Sequence, residues 1–197
     1  ETLFALVGDW PTGYTVQRTP DGGQTWQASS PASFAAARRL AVSPDFVNDA
    51  LLYLVTGAPD TTFVSLDGGQ SFSQAGGWFA SHQVNELVFS TAFASDHTLF
   101  ALVANDGIYR STDAGENWQV VENSRVYTAL AVSPDYETDG VITAVSTTGQ
   151  LYTSHDNGAA WNLGSGVTLG MGGETTLAFS PTFAADQVIM AASSTDA

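Results

Sequence analysis

Ser111-Thr112-Asp113-Ala114-Gly115-Glu116-Asn117-Trp118 sets a hydroxyl residue, an Asp two places on, a Gly two beyond that, and an aromatic at its end. The pattern recurs as Thr19-Pro20-Asp21-Gly22-Gly23-Gln24-Thr25-Trp26, as Ser65-Leu66-Asp67-Gly68-Gly69-Gln70-Ser71-Phe72 and as Ser154-His155-Asp156-Asn157-Gly158-Ala159-Ala160-Trp161. The Asp-to-Asp steps are 46, 46 and 43 residues. A period of ~40–50 residues is that of β-propeller blades. Each residue type has a local task. The Asp carboxylate and the Ser or Thr hydroxyl accept hydrogen bonds from turn amides. The Gly supplies a positive φ, and the aromatic offers a large apolar surface where the next strand begins.

A second motif runs in phase with the first. Ser43-Pro44-Asp45-Phe46-Val47-Asn48-Asp49 is echoed at Ser90–Asp96, Ser133–Asp139 and Ser180–Asp186, each copy keeping the Ser, the Phe or Tyr and the final Asp. Short β-branched and aromatic runs between the motifs read as strands. In blade order, A strands fall near residues 40–42, 86–89, 129–132 and 176–179, and B strands near 2–7, 51–55, 98–103, 141–145 and 188–192. C strands fall near 14–18, 62–65, 108–111 and 151–154, and D strands begin at the motif aromatics Trp26, Phe72, Trp118 and Trp161. Only Ser33–Arg39 suggests a turn of helix. The fold class is therefore all-β, a β-propeller of four-stranded antiparallel blades with the Asp motif in each C–D turn.

The Ser/Thr-x-Asp-x-Gly-x-x-Trp/Phe pattern resembles the Asp box, or BNR repeat, of the sialidase-like β-propeller superfamily. With the Ser-Pro-Asp-Phe/Tyr loop it is most similar to repeats of large bacterial secreted or surface proteins. The resemblance spans essentially the whole chain and implies a fold more than an activity, because Asp boxes there are structural and occur with and without catalysis. The second repeat departs at Phe72 and at Thr91-Ala92.

The repeats run over approximately 1–49, 50–96, 97–139 and 140–186, with a partial one at 187–197, about four and a half in all. A ring of six to eight such blades needs about 280–370 residues. The expectation is therefore a segment, residues 1–197, of a larger or assembled ring, and the non-Met start at Glu1 agrees with a cut or processed chain. Self-association through exposed blade edges is the alternative route to completing it.

The chain has no Lys, five Arg and 20 acidic residues, a net charge of −15. That balance argues against nucleic acid and anionic membranes as partners. No apolar run is long enough to span a bilayer, so membrane insertion is not expected. The absence of Cys removes thiol chemistry. The acidic, Lys-free composition points to an extracellular or cell-surface location.

The A–B and C–D loops carry most of the acidic residues. Turn capping accounts for them, and calcium would be the cofactor if Asp45, Asp49, Asp135 and Asp139 were ligands; no other cofactor is expected. The opposite loops vary most between repeats, and there Trp10, Trp78 and Phe79 are surplus to the pattern, candidates for stacking on a carbohydrate or gripping a protein segment. Asp9, Asp60 and Asp106 in B–C turns, with Glu86 and Glu174 near A strands, are the acids a glycoside hydrolase would use, since that chemistry needs two facing carboxylates. A sialidase would need convergent arginines, and Arg18, Arg38, Arg39, Arg110 and Arg125 do not converge by repeat position. The favoured reading is a non-catalytic scaffold for binding or assembly with a protein or glycan ligand. The alternatives are a sialidase- or xyloglucanase-like glycoside hydrolase and a self-assembling subunit of a surface lattice or fibre.

Overall fold

The computed structural model describes residues 1–9, 13–31, 33–57, 62–170 and 175–194, the side chains of 9 and 165–167 excepted. The chain forms two compact units, Glu1–Asn85 and Glu86–Ala197.

In the first unit, strands β1 (Leu3–Asp9), β2 (Gly13–Thr19) and β3 (Gln27–Ala28) make one antiparallel sheet. A second runs in order through β4 (Ala37–Val42), β5 (Leu52–Thr56), β6 (Phe63–Ser65) and β7 (Ser73–Gln74). Leading into and filling the second unit are β8 (Val84–Phe89), β9 (Leu99–Val103), β10 (Gly107–Ser111) and β11 (Gln119–Glu122). Next come β12 (Tyr127–Val132), β13 (Ile142–Ser146), β14 (Gln150–Ser154) and β15 (Asn162–Thr168), and then the pair β16 (Thr175–Phe179) and β17 (Ile189–Ser193). Every sheet is a meander of sequential antiparallel neighbours, so the blades follow the period read from the sequence.

The second strand of each full sheet shows why these runs lack clean alternation. β5, β9 and β13 are buried at all five positions, as strands covered on both faces must be. The first unit packs Val16, Phe34, Leu52, Leu54 and Phe72 into one cluster. The second packs Phe100, Leu102, Ile108, Leu130 and Ile142 into another.

The four Asp turns share one geometry. The hydroxyls of Thr19, Ser65, Ser111 and Ser154 donate to the carboxylates of Asp21, Asp67, Asp113 and Asp156 over 2.7–2.8 Å. Each of those hydroxyl oxygens accepts the amide of Gly23, Gly69, Gly115 or Gly158 at 2.9 Å. The Asp then accepts the amide four residues on, from Thr25, Ser71, Asn117 or Ala160, at 2.8–2.9 Å. Three copies add a side-chain donor, Thr25, Ser71 or Asn117, to the second carboxylate oxygen.

Those donors favour the ionised form. The Thr19 hydroxyl, followed by the Thr25 amide and hydroxyl, holds the Asp21 carboxyl well below the usual range. The Asn117 amide acts first on Asp113, and the Ala160 amide on Asp156, in the same direction. At Asp67 slight burial opposes the shift, and the hydrogen bonds from Ser71, Ser65 and Gln70 together outweigh it. A carboxyl whose folded pKa is depressed contributes stability above its unfolded pKa and loses that contribution as pH falls through the folded value. The melting temperature is therefore expected to be insensitive to these groups at neutral pH. It should fall steeply below about pH 4, where free Asp protonates. Thermal melts from pH 7 to 2 check this, and a constant melting temperature to pH 2 contradicts it.

Three expectations are corrected. Ser33–Arg39 is not helical: Phe34 exchanges backbone hydrogen bonds with Tyr14, 2.7 and 2.8 Å, and β4 begins at Ala37. The Phe34 ring sits edge-on to Phe63 and Phe72, which fixes that segment against the core. The helical turns are instead in the Ser-Pro-Asp loops, as α1 (Phe46–Asp49), α2 (Phe93–Asp96), α3 (Tyr136–Asp139) and α4 (Phe183–Asp186). Each is wound by its leading Ser, whose hydroxyl donates to the closing Asp over 2.5–2.6 Å. Finally, the D strands start after the motif aromatics, and those rings do not all bury. Phe72 enters the core. Trp118 and Trp161 donate Nε1–H to the carbonyls of Gly115 and Gly158, and the half-buried Trp161 ring also packs against the second unit's cluster. Trp26 is exposed.

Candidate functional site

Trp10, Asp60 and Glu174 lie outside the described residues, as does the Asp9 side chain, so the described candidates are Asp106, Glu86, Trp78 and Phe79. Asp106 sits in the tight β9–β10 turn, where Asn105 takes φ 55° and the Asp106 amide donates to the Val103 carbonyl. Its carboxylate accepts the Tyr109 hydroxyl at 2.7 Å, and that hydrogen bond, with some burial, pushes the Tyr109 phenol up.

Glu86 is on β8, and its Oε2 accepts the amide of Leu130 on β12 at 2.9 Å. This ties the first strand of one blade to the first strand of the next, 44 residues on. Both described acids are therefore engaged by donors of the chain itself.

The two surplus rings part company. A 3-10 helix over Gly77–Ser81 follows β7 and carries both. Phe79 is 5% exposed and packs on Tyr53 with centroids 5.3 Å apart, which removes it from the surface open to a ligand. Burial also raises the Tyr53 phenol to about 12. Trp78 is half-buried and stacks on His82, centroids 4.1 Å apart and planes 12° from parallel. His82 Nδ1 lies 2.8 Å from the Trp78 carbonyl oxygen, so this short helix presents a braced aromatic pair beside the loop. Sequence reasoning named Trp78 without seeing that His82 supports it.

Three of the four calcium candidates have carboxylates engaged within their loops, while Asp135 is held there through its amide, which donates to the Ser133 hydroxyl at 3.1 Å. Asp49 accepts the Ser43 hydroxyl and the Leu51 amide, Asp139 accepts the Ser133 hydroxyl and the Val141 amide, and Asp45 accepts the Asn48 amide side chain. Among the described residues no group of three or more His, Asp or Glu is placed to hold a metal.

A polar cluster on the strand end opposite the Asp turns was not singled out from sequence. The Arg125 guanidinium lies 4.4 Å from the Tyr152 ring centroid and 3.5 Å from Glu122, and it donates to the Ser124 hydroxyl. Arg110 donates to the Asn157 carbonyl of the following Asp turn at 2.8 Å.

Tandem four-stranded antiparallel sheets with a shared Asp turn define the chain as an Asp-box β-propeller protein. Residues 6–168 match the family described as photosynthesis system II assembly factor YCF48, and the chain belongs to that family. It is similar in fold to a GH74 enzyme of Niastella koreensis, with 19% identity and a TM-score of 0.67 over 92% of this chain and 30% of that one. A GH74 xyloglucanase from Xanthomonas campestris gives 18% identity and a TM-score of 0.62 over 89% of this chain and 31% of that one. A structure of YCF48 bound to D1 peptide gives 25% identity and a TM-score of 0.52 over 76% of this chain and 48% of that one. The chain thus spans 30–48% of these proteins' lengths. No curated protein sequence matches it. Among the described residues no helix is long and apolar enough to cross a membrane.

Proposed function

We propose that this chain is a non-catalytic propeller scaffold that recognises a segment of a partner protein, with the Trp78–His82 pair as one contact point. The observation that carries this is the half-buried indole braced on His82 at the edge of a blade, away from the Asp turns. Rigid aromatics of this kind supply contact area at low entropic cost. Membership of the YCF48 family supports a protein partner, since a solved YCF48 holds a peptide. The engagement of Asp106 by Tyr109 and of Glu86 by Leu130 supports a scaffold over a hydrolase. The composition, with no Lys and net charge −15, supports an extracellular or cell-surface setting.

The test is fluorescence anisotropy with a library of labelled peptides against the wild-type chain and Trp78→Ala. Peptides selected by the wild type are expected to lose about tenfold in affinity against Trp78→Ala, the size of effect a central aromatic contact gives. Equal affinity for both proteins removes Trp78 from the site.

A further inference from the structure

A different surface of the first unit is unusual, and it lies on the other set of loops. Val47 on α1 is 95% exposed and Leu66 in the β6–β7 turn is 72% exposed. The two segments touch: the Gly68 amide donates to the Ala50 carbonyl at 3.1 Å, and the Phe46 ring lies 3.6 Å from where a Cβ on residue 68 would stand. Val47 and Leu66 therefore crown one end of the same blade.

The repeat makes their identity informative. The position of Val47 is Ala94, Glu137 and Ala184 in the other copies, and that of Leu66 is Pro20, Thr112 and His155. The Ser, Asp and Gly residues around them recur because the turn needs them, whereas these two side chains point to solvent and the turn folds without them. Two large apolar groups exposed together at such free positions mark a contact surface. Polar or small residues satisfy the same backbone in the sister blades.

The charge around them selects the partner. The two connections that carry the pair, residues 43–51 and 65–72, hold Asp45, Asp49 and Asp67 and no Lys, Arg or His. Asp67 is held ionised by its turn donors. A second copy, also at −15, would meet this surface with like charge, so self-association is opposed. We infer that the Val47–Leu66 end of this blade docks a basic segment of another protein, with apolar side chains inserted between Lys or Arg residues.

This goes beyond the Trp78 contact and has an independent test. An alternating Arg-Leu peptide, an Arg-Ser peptide and a Glu-Leu peptide are titrated into the wild type and into Val47→Ser/Leu66→Ser, a surface pair whose loss leaves the turns intact. The Arg-Leu peptide is expected to bind best to the wild type and to lose about tenfold in affinity with the double variant. Raised salt should weaken it, because the charged part is screened. Trp78→Ala should leave this binding unchanged, which separates the two surfaces. Equal binding of Arg-Leu and Arg-Ser, or equal affinity for wild type and double variant, reduces the effect to nonspecific charge and overturns the inference. Sedimentation that shows a wild-type dimer dissociated by Val47→Ser/Leu66→Ser also overturns it, by assigning the surface to a second copy.

Discussion

Phe100→Ala is expected to lower the unfolding free energy by about 3–5 kcal/mol, the range for deleting a fully buried aromatic. Phe100 is fully buried on β9, edge-on to Tyr136 with centroids 5.5 Å apart. It touches the cluster formed with Leu102, Ile108, Leu130 and Ile142, so its loss opens a cavity that three strands must collapse to fill. For a chain of this size the melting temperature should drop by on the order of 10 °C. The exposed Leu66 provides the control, since Leu66→Ala should change stability by less than about 0.5 kcal/mol. Chemical denaturation of the three proteins decides the matter. A Phe100→Ala effect as small as that of Leu66→Ala would mean the blades do not pack through this ring.

Gly107→Ala is the second large effect, and it acts through backbone. Gly107 opens β10 at φ +130°, and a Cβ there would stand 2.1 Å from the Glu122 carbonyl oxygen and 2.8 Å from the Asn123 Cα. Neither atom can move without shifting β11, whose register with β10 already slips between Ile108 and Tyr109. Strain at such a φ alone costs of order 1–3 kcal/mol, and the backbone collision adds to it. A loss of more than about 2 kcal/mol is expected. Gly76→Ala should be near neutral, because nothing lies within 4 Å of its Cβ position. Equal denaturation midpoints for the two variants would contradict the close approach of β10 and β11.

What the sequence made legible was local. The Asp turn closes within eight residues, from Ser111 to Trp118, so its hydroxyl, carboxylate, Gly and aromatic can be matched copy by copy. The strand runs follow from the same period. The helical turns of the second motif were missed because their left-handed closing residues are Ala50, His97 and Gln187 in three copies, with Gly140 in only one. No Gly signal marks the end of those helices. The fate of Phe79 depends on Tyr53, which is brought to it by sheet packing rather than by spacing. The role of Glu86 was hidden for the same reason, since its partner Leu130 lies one blade on. Candidate sites were thus visible as residue types, while their engagement was a property of how blades meet.

This chain is proposed to recognise a partner and not to hydrolyse, although it shares its fold with a GH74 xyloglucanase. Reducing-end release from xyloglucan at high protein concentration is the direct measurement, run on the wild type, Asp106→Asn and Glu86→Gln. The prediction is no release above the protein-free rate for any of them. Turnover by the wild type that disappears in a folded Asp106→Asn or Glu86→Gln variant would contradict it.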